Sequence, residues 1–181
     1  MKKLIIILVF TVACVGAFAQ NPHPVTLNTN SGYVNINEVN YGYGLGTSTG
    51  SYTKQYFGLT TMHGYQLNIY GLHLNRSFIA GVGSGVLLYN GRLLIPLYLD
   101  FRYIWNLKNI SPFIYEDSGV LLNFEDLIPG TKMFINSGAG IKLKISGSLS
   151  ASFGTGLFVQ MGPDSSRDSF VNLKVGVVYK L

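Results

Sequence analysis

Charged residues, cysteine and long apolar runs are scarce in this sequence. Charged residues make up 12% of its 181 residues, half of the ~25% that is usual in a soluble domain. Its one cysteine, Cys14, lies in a segment that we expect to be removed, so the mature chain has no disulfide, thiolate metal ligand or thiol nucleophile. No later segment holds 18 consecutive apolar residues, which excludes a second apolar membrane helix.

The amino terminus has the pattern of a secretory signal peptide. Two lysines precede an apolar run, Leu4 to Val15, and a small-residue pattern ends at Ala19. We expect cleavage after about Ala19; a lipoprotein site at Cys14 is the alternative, and Thr11 fits its first position poorly. The mature chain then has 13 − 2 = 11 basic and 8 acidic residues. This net charge of +3 is too small and too scattered to indicate nucleic acid binding.

Eight runs of alternating polarity follow. They are Tyr33–Leu45, Tyr56–Leu67, Phe78–Tyr89, Leu93–Trp105, Pro112–Leu122, Met133–Ile145, Leu149–Met161 and Ser169–Leu181. Successive side chains of a strand point to opposite faces, so each run predicts an amphipathic β-strand. The boundary after the second run stays open over residues 68–77. Longer polar connectors at 46–54, 123–132 and 162–169 alternate with tighter ones, and Asn90-Gly91 indicates a two-residue hairpin.

The fourth run indicates which side chains face inward. One parity is apolar from Leu93 to Trp105, whereas the other contains Asp100 and Arg102. An unbroken apolar face suits lipid, and strands span a membrane only as a closed barrel. Eight strands enclose an interior that side chains just fill, so we expect no open channel. The predicted fold is an all-β, eight-stranded antiparallel up-and-down transmembrane barrel at 33–181, after a signal peptide at 1–19 and a short periplasmic leader at 20–32.

A secreted or periplasmic barrel of lipocalin type is the alternative, with its apolar face turned inward around a lipophilic ligand. Three features favour the membrane barrel: glycines share the polar parity, the last run ends with the chain, and aromatic residues lie near strand ends. Those aromatic residues are Tyr33, Tyr41, Tyr43, Tyr56, Tyr65, Tyr103, Trp105 and Tyr179. Membrane barrels carry aromatic girdles at both interfaces.

Five segments resemble the outer membrane protein β-barrel domain family of small Gram-negative surface proteins. They are GYVNINEVNYGYGLG (32–46), GYQLN (64–68), LLIPLYLDFRY (93–103), ISPF (110–113) and FVNLKVGVVYKL (170–181). The signal peptide, the eight runs and the last strand lead to the hypothesis of a monomeric barrel in contact with outer-membrane lipid, with a structural or surface-interaction role and an unidentified loop partner. The resemblance implies location in the outer membrane. It also implies that the barrel-assembly machinery recognises the last strand. The signal residues would be Leu173, Val175, Val177, Tyr179 and Leu181, the last in place of the usual terminal Phe.

Seven charged residues share the predicted inner face. They are Glu38, Asp100, Arg102, Asp117, Lys142, Lys144 and Lys174. Desolvating an unpaired charge costs several kcal/mol, so we predict an interior charge network with a structural role in preference to a proton or ion path. Glu116 has the outward parity, and a bulge or a position near the outer rim would make it tolerable.

The sequence indicates little further chemistry. A Ser/His/Asp arrangement would need His23, His63 or His73 as its base, and Asp117 and Ser118 point to opposite faces of their strand. No spacing indicates a metal site, and no cofactor is predicted. A lipid-modifying barrel enzyme is therefore the least favoured alternative, and we predict no catalytic residue.

Overall fold

The computed structural model describes residues 26–27, 31–47, 55–71, 74–89, 91–123, 131–162 and 167–181. The strands in these ranges are β1 (Thr26–Leu27), β2 (Gly32–Thr47), β3 (Gln55–Gly71), β4 (Leu74–Tyr89), β5 (Arg92–Trp105), β6 (Ile110–Asn123), β7 (Lys132–Lys144), β8 (Leu149–Met161) and β9 (Arg167–Lys180). Each of the eight predicted runs corresponds to one strand from β2 to β9. The predicted signal peptide with Cys14, and also His23 and His73, lie outside the described residues. Within the described ranges, no helix is long and apolar enough to cross a membrane.

Strands β2 to β9 close into an antiparallel barrel. Each strand pairs with its neighbours in the chain, and β9 pairs with β2 from Val34 opposite Lys180 to Thr47 opposite Asp168. A closed barrel has no free edge, so each of the strands β2 to β9 has a hydrogen-bonded neighbour on both sides. The predicted eight-stranded fold is confirmed. We call the end where β2 begins and β9 ends the terminal end, and the opposite end the loop end.

The strand register sets the tilt of the barrel. A row of paired residues runs through Val34, Gly64, Gly81, Asp100, Asp117, Asn136, Phe158 and Phe170. From Phe170 it returns to β2 at Gly44, which is 44 − 34 = 10 residues beyond its start. With roughly 3.3 Å per residue and about 4.8 Å between strands, a stagger of ten residues over eight strands requires a tilt of about 40°.

The apolar parity faces outward. On β5, Leu99 is 49% exposed between the fully buried Asp100 and the buried Tyr98. On β9, Lys174 is buried between exposed Leu173 and Val175. All five residues of the predicted assembly signal are exposed on this outer face: Leu173, Val175, Val177, Tyr179 and Leu181. The side chains of the other parity, which carries the polar residues in the sequence, therefore point into the interior.

Outward aromatic residues lie toward both ends of the barrel. At the terminal end, Tyr33 pairs with Tyr65, and Tyr103 contacts Trp105. At the loop end, Tyr41 pairs with Phe57, and Tyr43 is also exposed. The 43 − 33 = 10 residues between Tyr33 and Tyr43 span about 25 Å along the axis at this tilt, the height of the apolar band in membrane barrels.

Three details go beyond the sequence predictions. Tyr56 faces the interior, in step with buried Met62, where its ring packs on Phe158 and Phe170. The open boundary at 68–77 resolves as two long strands, because the β3–β4 ladder continues to the pair of Gly71 with Leu74. The leader contains the short strand β1, which pairs with β3. The predicted hairpin at the loop end agrees with Gly91, whose φ is 71°, and with pairing of Tyr89 to Arg92.

Glycines give interior aromatic rings their space. A Cβ atom at Gly138 would lie 2.6 Å from both Cζ and Oη of Tyr115. Across the pair to β8, a Cβ at Gly156 would lie 2.5 Å from the same hydroxyl. The inward glycines of β7 and β8 thus leave the space that the Tyr115 ring of β6 occupies.

We predict that Gly138→Val destabilises the barrel by about 1–3 kcal/mol, because a side chain at this position displaces the Tyr115 ring and crowds the backbone oxygen of Thr155, which would lie 2.3 Å from the added Cβ. The measurement is denaturant unfolding in detergent or lipid vesicles, followed by the gel mobility shift between folded and unfolded barrel. Ala139→Val is the matched control, since Ala139 is the next residue of β7 and is exposed on the outer face. Equal losses for the two variants would contradict this assignment of the faces.

Candidate functional site

An Arg102 side chain lies at the centre of the barrel interior between two carboxylates. Asp100 and Arg102 are two residues apart on β5, so they share the inner face. Arg102 Nη2 and Nε donate to Asp100 at 2.7 and 3.0 Å. Its Nη1 and Nη2 donate to the two carboxylate oxygens of Glu38, across the lumen on β2, at 2.8 and 3.1 Å. Both contacts match the fork geometry that makes Arg–carboxylate pairs strong.

Lys174 extends the same group of charges. Its Nζ lies 3.3 Å from Glu38 Oε2 and also pairs with Asp117 Oδ2 on β6. Asn136 Nδ2 donates to the same Asp117 oxygen at 2.9 Å. We call Glu38, Asp100, Arg102, Asp117 and Lys174 the charge cluster. Each of the five is at most 5% exposed, and the cluster holds three acids and two bases.

Aromatic rings flank the two cations. Arg102 Cζ lies 5.6 Å from the centre of the Phe113 ring and 5.9 Å from that of Tyr115. Lys174 Nζ lies 4.5 Å from the centre of the Tyr115 ring. The ring faces add an attraction that strengthens as water is removed from the cation.

The charge cluster lies between two apolar layers. Along β5, Leu94 and Tyr98 belong to the layer toward the loop end, Asp100 and Arg102 belong to the charge cluster, and Ile104 belongs to the layer toward the terminal end. The layer toward the loop end consists of Tyr56, Leu87, Leu94, Tyr98, Leu121, Phe134, Phe158 and Phe170. The layer toward the terminal end consists of Val34, Ile36, Met62, Ile79, Ile104, Phe113, Tyr115 and Val178. A cavity of about 20 Å³ beside Asp117 and Lys174 has room for about one water molecule.

Two of the seven predicted network residues are not in the cluster. Lys144 is exposed and Lys142 is half-buried, and neither forms an ion pair within the described part of the chain. Lys142 has the predicted inner parity, but it lies 142 − 136 = 6 residues along β7 from Asn136, the partner of Asp117. Six residues span roughly 20 Å of strand, well beyond the reach of a lysine side chain.

Sequence reasoning missed two polar groups that close the interior at its ends. At the loop end, Asp168 accepts from Tyr89, Gln160 and Lys132 at 3.1, 2.8 and 3.3 Å. At the terminal end, Gln66 Nε2 donates to Asn68 and Ser77 at 2.7 and 3.0 Å. Asp168 is in step with Phe170, Asn172 and Lys174, so extending the last run by one residue, from Ser169 to Asp168, identifies it.

Glu116 and His63 lie on the outer face. Glu116 is the seventh of the 14 residues of β6, its pairing with Phe101 and Ser137 is regular, and Ser137 Oγ donates to it. Neither the expected bulge nor the expected rim position is therefore present. His63 Nδ1 bonds with the Tyr33 hydroxyl and lies 3.4 Å from Asn35 Nδ2. Among the described residues, no three His, Cys, Asp or Glu side chains gather as they would around a metal ion.

Comparison with solved structures finds other eight-stranded barrels. The chain is similar to the crystal structure of Neisserial surface protein A (NspA), with a TM-score of 0.51 and 11% identity over 84% of this chain and 98% of that one. It is also similar to the N-terminal β-barrel domain of Pseudomonas aeruginosa OprF, with a TM-score of 0.45, 17% identity, and coverage of 83% and 98%. For Ail of Yersinia pestis the TM-score is 0.33, at 11% identity and coverage of 83% and 99%.

Comparisons with protein-family models and with curated proteins find no match. The likeness to NspA confirms, at the level of the fold, the resemblance to small outer-membrane barrels that the sequence indicates.

We predict that Arg102→Met destabilises the barrel by about 3–5 kcal/mol, because it leaves Asp100 buried without its cation and Glu38 with Lys174 as its remaining cation. Lys144→Met is the control for loss of an inner-parity cation outside the cluster, and it should change stability by no more than about 0.5 kcal/mol. Denaturant unfolding in lipid vesicles measures both. Similar losses of stability for the two variants would show that a cation inside the cluster contributes no more than a cation outside it.

We predict further that Lys174→Met costs more stability than Asp117→Asn. The first leaves three carboxylates with one cation, whereas the second leaves two carboxylates with two cations and retains an amide in contact with Lys174 and Asn136. Truncating one partner of a buried pair is costly in proportion to the charge left uncompensated. The same unfolding measurement ranks the two variants, and a larger loss for Asp117→Asn would overturn this charge balance.

Proposed function

We propose that the protein is an integral outer-membrane β-barrel with a structural or surface-interaction role and without an open pore. The observation that carries the proposal is the inversion of the usual globular pattern. Outward side chains such as Leu99 and Val175 are half exposed and apolar, whereas Arg102 and Lys174 are buried inside. Apolar residues of this kind facing water over a whole barrel would be unfavourable, and lipid removes that cost.

The filled interior supports a barrel that conducts nothing. The two apolar layers lie on either side of the charge cluster, and Asp168 and Gln66 mark further polar groups toward the two ends. An ion that crossed the barrel would have to displace both apolar layers. The ion pairs of the charge cluster instead join strands on different sides of the lumen. This favours the structural reading of the cluster over an ion path.

The two alternatives draw less support. A lipocalin-like barrel needs an apolar cavity for its ligand, but the interior cavity beside Asp117 measures about 20 Å³, far below the ~300 Å³ or more of a ligand pocket. An enzyme with His63 as its base needs a nucleophile and an acid beside it, but the partners of His63 are Tyr33 and Asn35.

The surface role is assigned to the loop end. Antiparallel pairing of β2 to β9 brings the longer connectors at 46–54, 123–132 and 162–169 to that one end. These connectors are polar, and loops on a rigid scaffold are where binding residues are most often found. Insertion would proceed through the barrel-assembly machinery acting on the last strand, from Leu173 to Leu181, with the terminal end in the periplasm.

The test compares two substitutions on the same strand and face. We predict that Leu99→Arg, at the middle of β5, destabilises the barrel by about 2–4 kcal/mol, and that Leu93→Arg, near the loop end, costs about 0–1 kcal/mol. Charge on the lipid face is costly in the middle of the bilayer and nearly neutral at its surface. Unfolding in lipid vesicles measures both losses, and fractionation of cells shows whether the wild-type protein partitions with the outer membrane.

A water-exposed outer face would give the opposite pattern, because arginine at Leu99 would then be neutral or favourable. That outcome, together with recovery of the wild-type protein in the soluble periplasmic fraction, would overturn the proposal.

A further inference from the structure

Polar side chains gather on the outer face of β2 and β3. Asn37 Nδ2 donates to Asn35 Oδ1 at 2.5 Å, and Asn35 Nδ2 donates to Thr61 Oγ1 at 3.2 Å. His63, on the same face of β3, contacts Asn35. We call Asn35, Asn37, Thr61 and His63 the amide patch. Asn37 and His63 are both exposed, so the patch presents amide, hydroxyl and imidazole groups outward.

A second polar group lies on the outer face of β6 and β7. Glu116 accepts a hydrogen bond from Ser137, its partner on β7, and Ser118 follows two residues later on the same face. We call Glu116, Ser118 and Ser137 the carboxyl patch. A carboxyl group accepts more than one hydrogen bond, and in the described part of the chain the hydrogen bond to Glu116 comes from Ser137 alone.

The two patches lie on opposite sides of the barrel. The carboxyl patch on β6 and β7 is four strands from the amide patch on β2 and β3, and the barrel has eight strands. The separation is therefore half a turn in either direction.

The two patches also lie at the same height. The row that starts at Val34 rises ten residues per turn, so at half a turn, where it meets Asp117, it has risen to the height of β2 residue 34 + 5 = 39. Glu116 precedes Asp117 on a strand that runs in the same direction as β2, so it lies at the height of residue 38. Its height is one residue from that of Asn37.

Lipid makes these patches costly. Polar groups that face hydrocarbon find no water to satisfy them, and in membranes they usually pair with other protein groups. All copies of an inserted barrel share one orientation, so only groups at equal heights can meet. The carboxyl oxygens of one copy and the amide and imidazole groups of the next satisfy that condition and have complementary hydrogen-bonding chemistry.

We propose that copies of this chain associate head to tail within the membrane, with the carboxyl patch of one barrel against the amide patch of the next. The inference rests on the proposed membrane location, and it replaces the monomer expected from the sequence. Because the two patches of one barrel point in opposite directions, the contact does not close into a ring and extends as a row. The occupant of each patch is a second copy of this chain.

The experiment uses cysteine crosslinking in a mature chain that has no cysteine of its own. Ser118→Cys lies two residues beyond Glu116 and Val39→Cys two residues beyond Asn37, each on the same strand and outer face. The double variant retains both Glu116 and Asn37. In outer membranes or phospholipid vesicles, mild oxidation should give a ladder of dimers, trimers and longer species on non-reducing gels, whereas each single variant should remain monomeric and a mixture of the two should stop at dimers.

The control moves one cysteine a quarter turn around the barrel at the same height. Thr155 on β8 is exposed. The row of paired residues meets β8 at Phe158 after six of the eight strands, at the height of β2 residue 34 + 7.5 = 41.5. Thr155 precedes Phe158 by three residues, so it lies at the height of residue 41.5 − 3 = 38.5. The pair Thr155→Cys with Val39→Cys should therefore give no ladder. Adding Glu116→Leu to the Ser118→Cys/Val39→Cys chain should reduce the ladder about three- to tenfold, the effect of losing one polar contact in a membrane, whereas Glu116→Gln should retain it.

Each other outcome overturns the inference. Dimers from Ser118→Cys alone would mean a face-to-face contact, an equal ladder from the Thr155 control would mean random collision, and a ladder unchanged by Glu116→Leu would mean contact without the carboxyl group. Folding of every variant is checked by the heat-dependent shift of its gel mobility. Absence of a ladder from protein that is inserted and folded overturns this inference alone, whereas recovery in the soluble fraction overturns the membrane location as well.

Discussion

Closure of the sheet is the constraint on which the other features of this barrel depend. Once β9 pairs with β2, the stagger of ten residues determines the tilt and limits the radius to about 8 Å. A lumen of that width is filled by side chains, so each large inward ring needs small residues opposite it. Tyr115 against Gly138 and Gly156 is one such arrangement. Closure also decides which residues of distant strands share a height, both inside the barrel and outside it.

The charge cluster is a consequence of that geometry. Arg102 on β5 reaches Glu38 on β2, and Lys174 on β9 reaches Asp117 on β6. Both contacts cross the lumen between strands that are three apart, so they join parts of the wall that share no backbone hydrogen bonds. Apolar packing above and below excludes water and makes each unpaired charge more costly. The cluster thereby specifies one cross-section for the barrel, although its net contribution to stability relative to an apolar core is modest.

Parity along the chain predicts the faces, and closure decides the contacts. Alternation alone identifies all eight barrel strands and places Asp100, Arg102 and Lys174 inside. It gives Lys142 the correct inner parity but does not show that Lys142 lies outside the charge cluster, because its distance from Asp117 depends on a register that no single strand reveals. Tyr56 lies near a strand end, as the sequence indicates, but nearness to an end does not reveal its face, which follows from its parity with buried Met62. Asp168 was hidden because a polar connector and the first residues of a strand look alike in sequence.

Glu116 shows why the outer face needs a different explanation from the inner one. Inside, Glu38 at the same height has its carboxylate satisfied by Arg102 and Lys174 within one chain. Outside, Glu116 has a single serine donor within the described residues, and half a turn away Asn37 and His63 are exposed at nearly the same height. Sequence parity placed Glu38 inside and Glu116 outside correctly but treated each one alone. Only the ten-residue stagger shows that the carboxyl patch of one barrel and the amide patch of another would meet if the two barrels lay side by side, which is why the contact is inferred between copies and not within one.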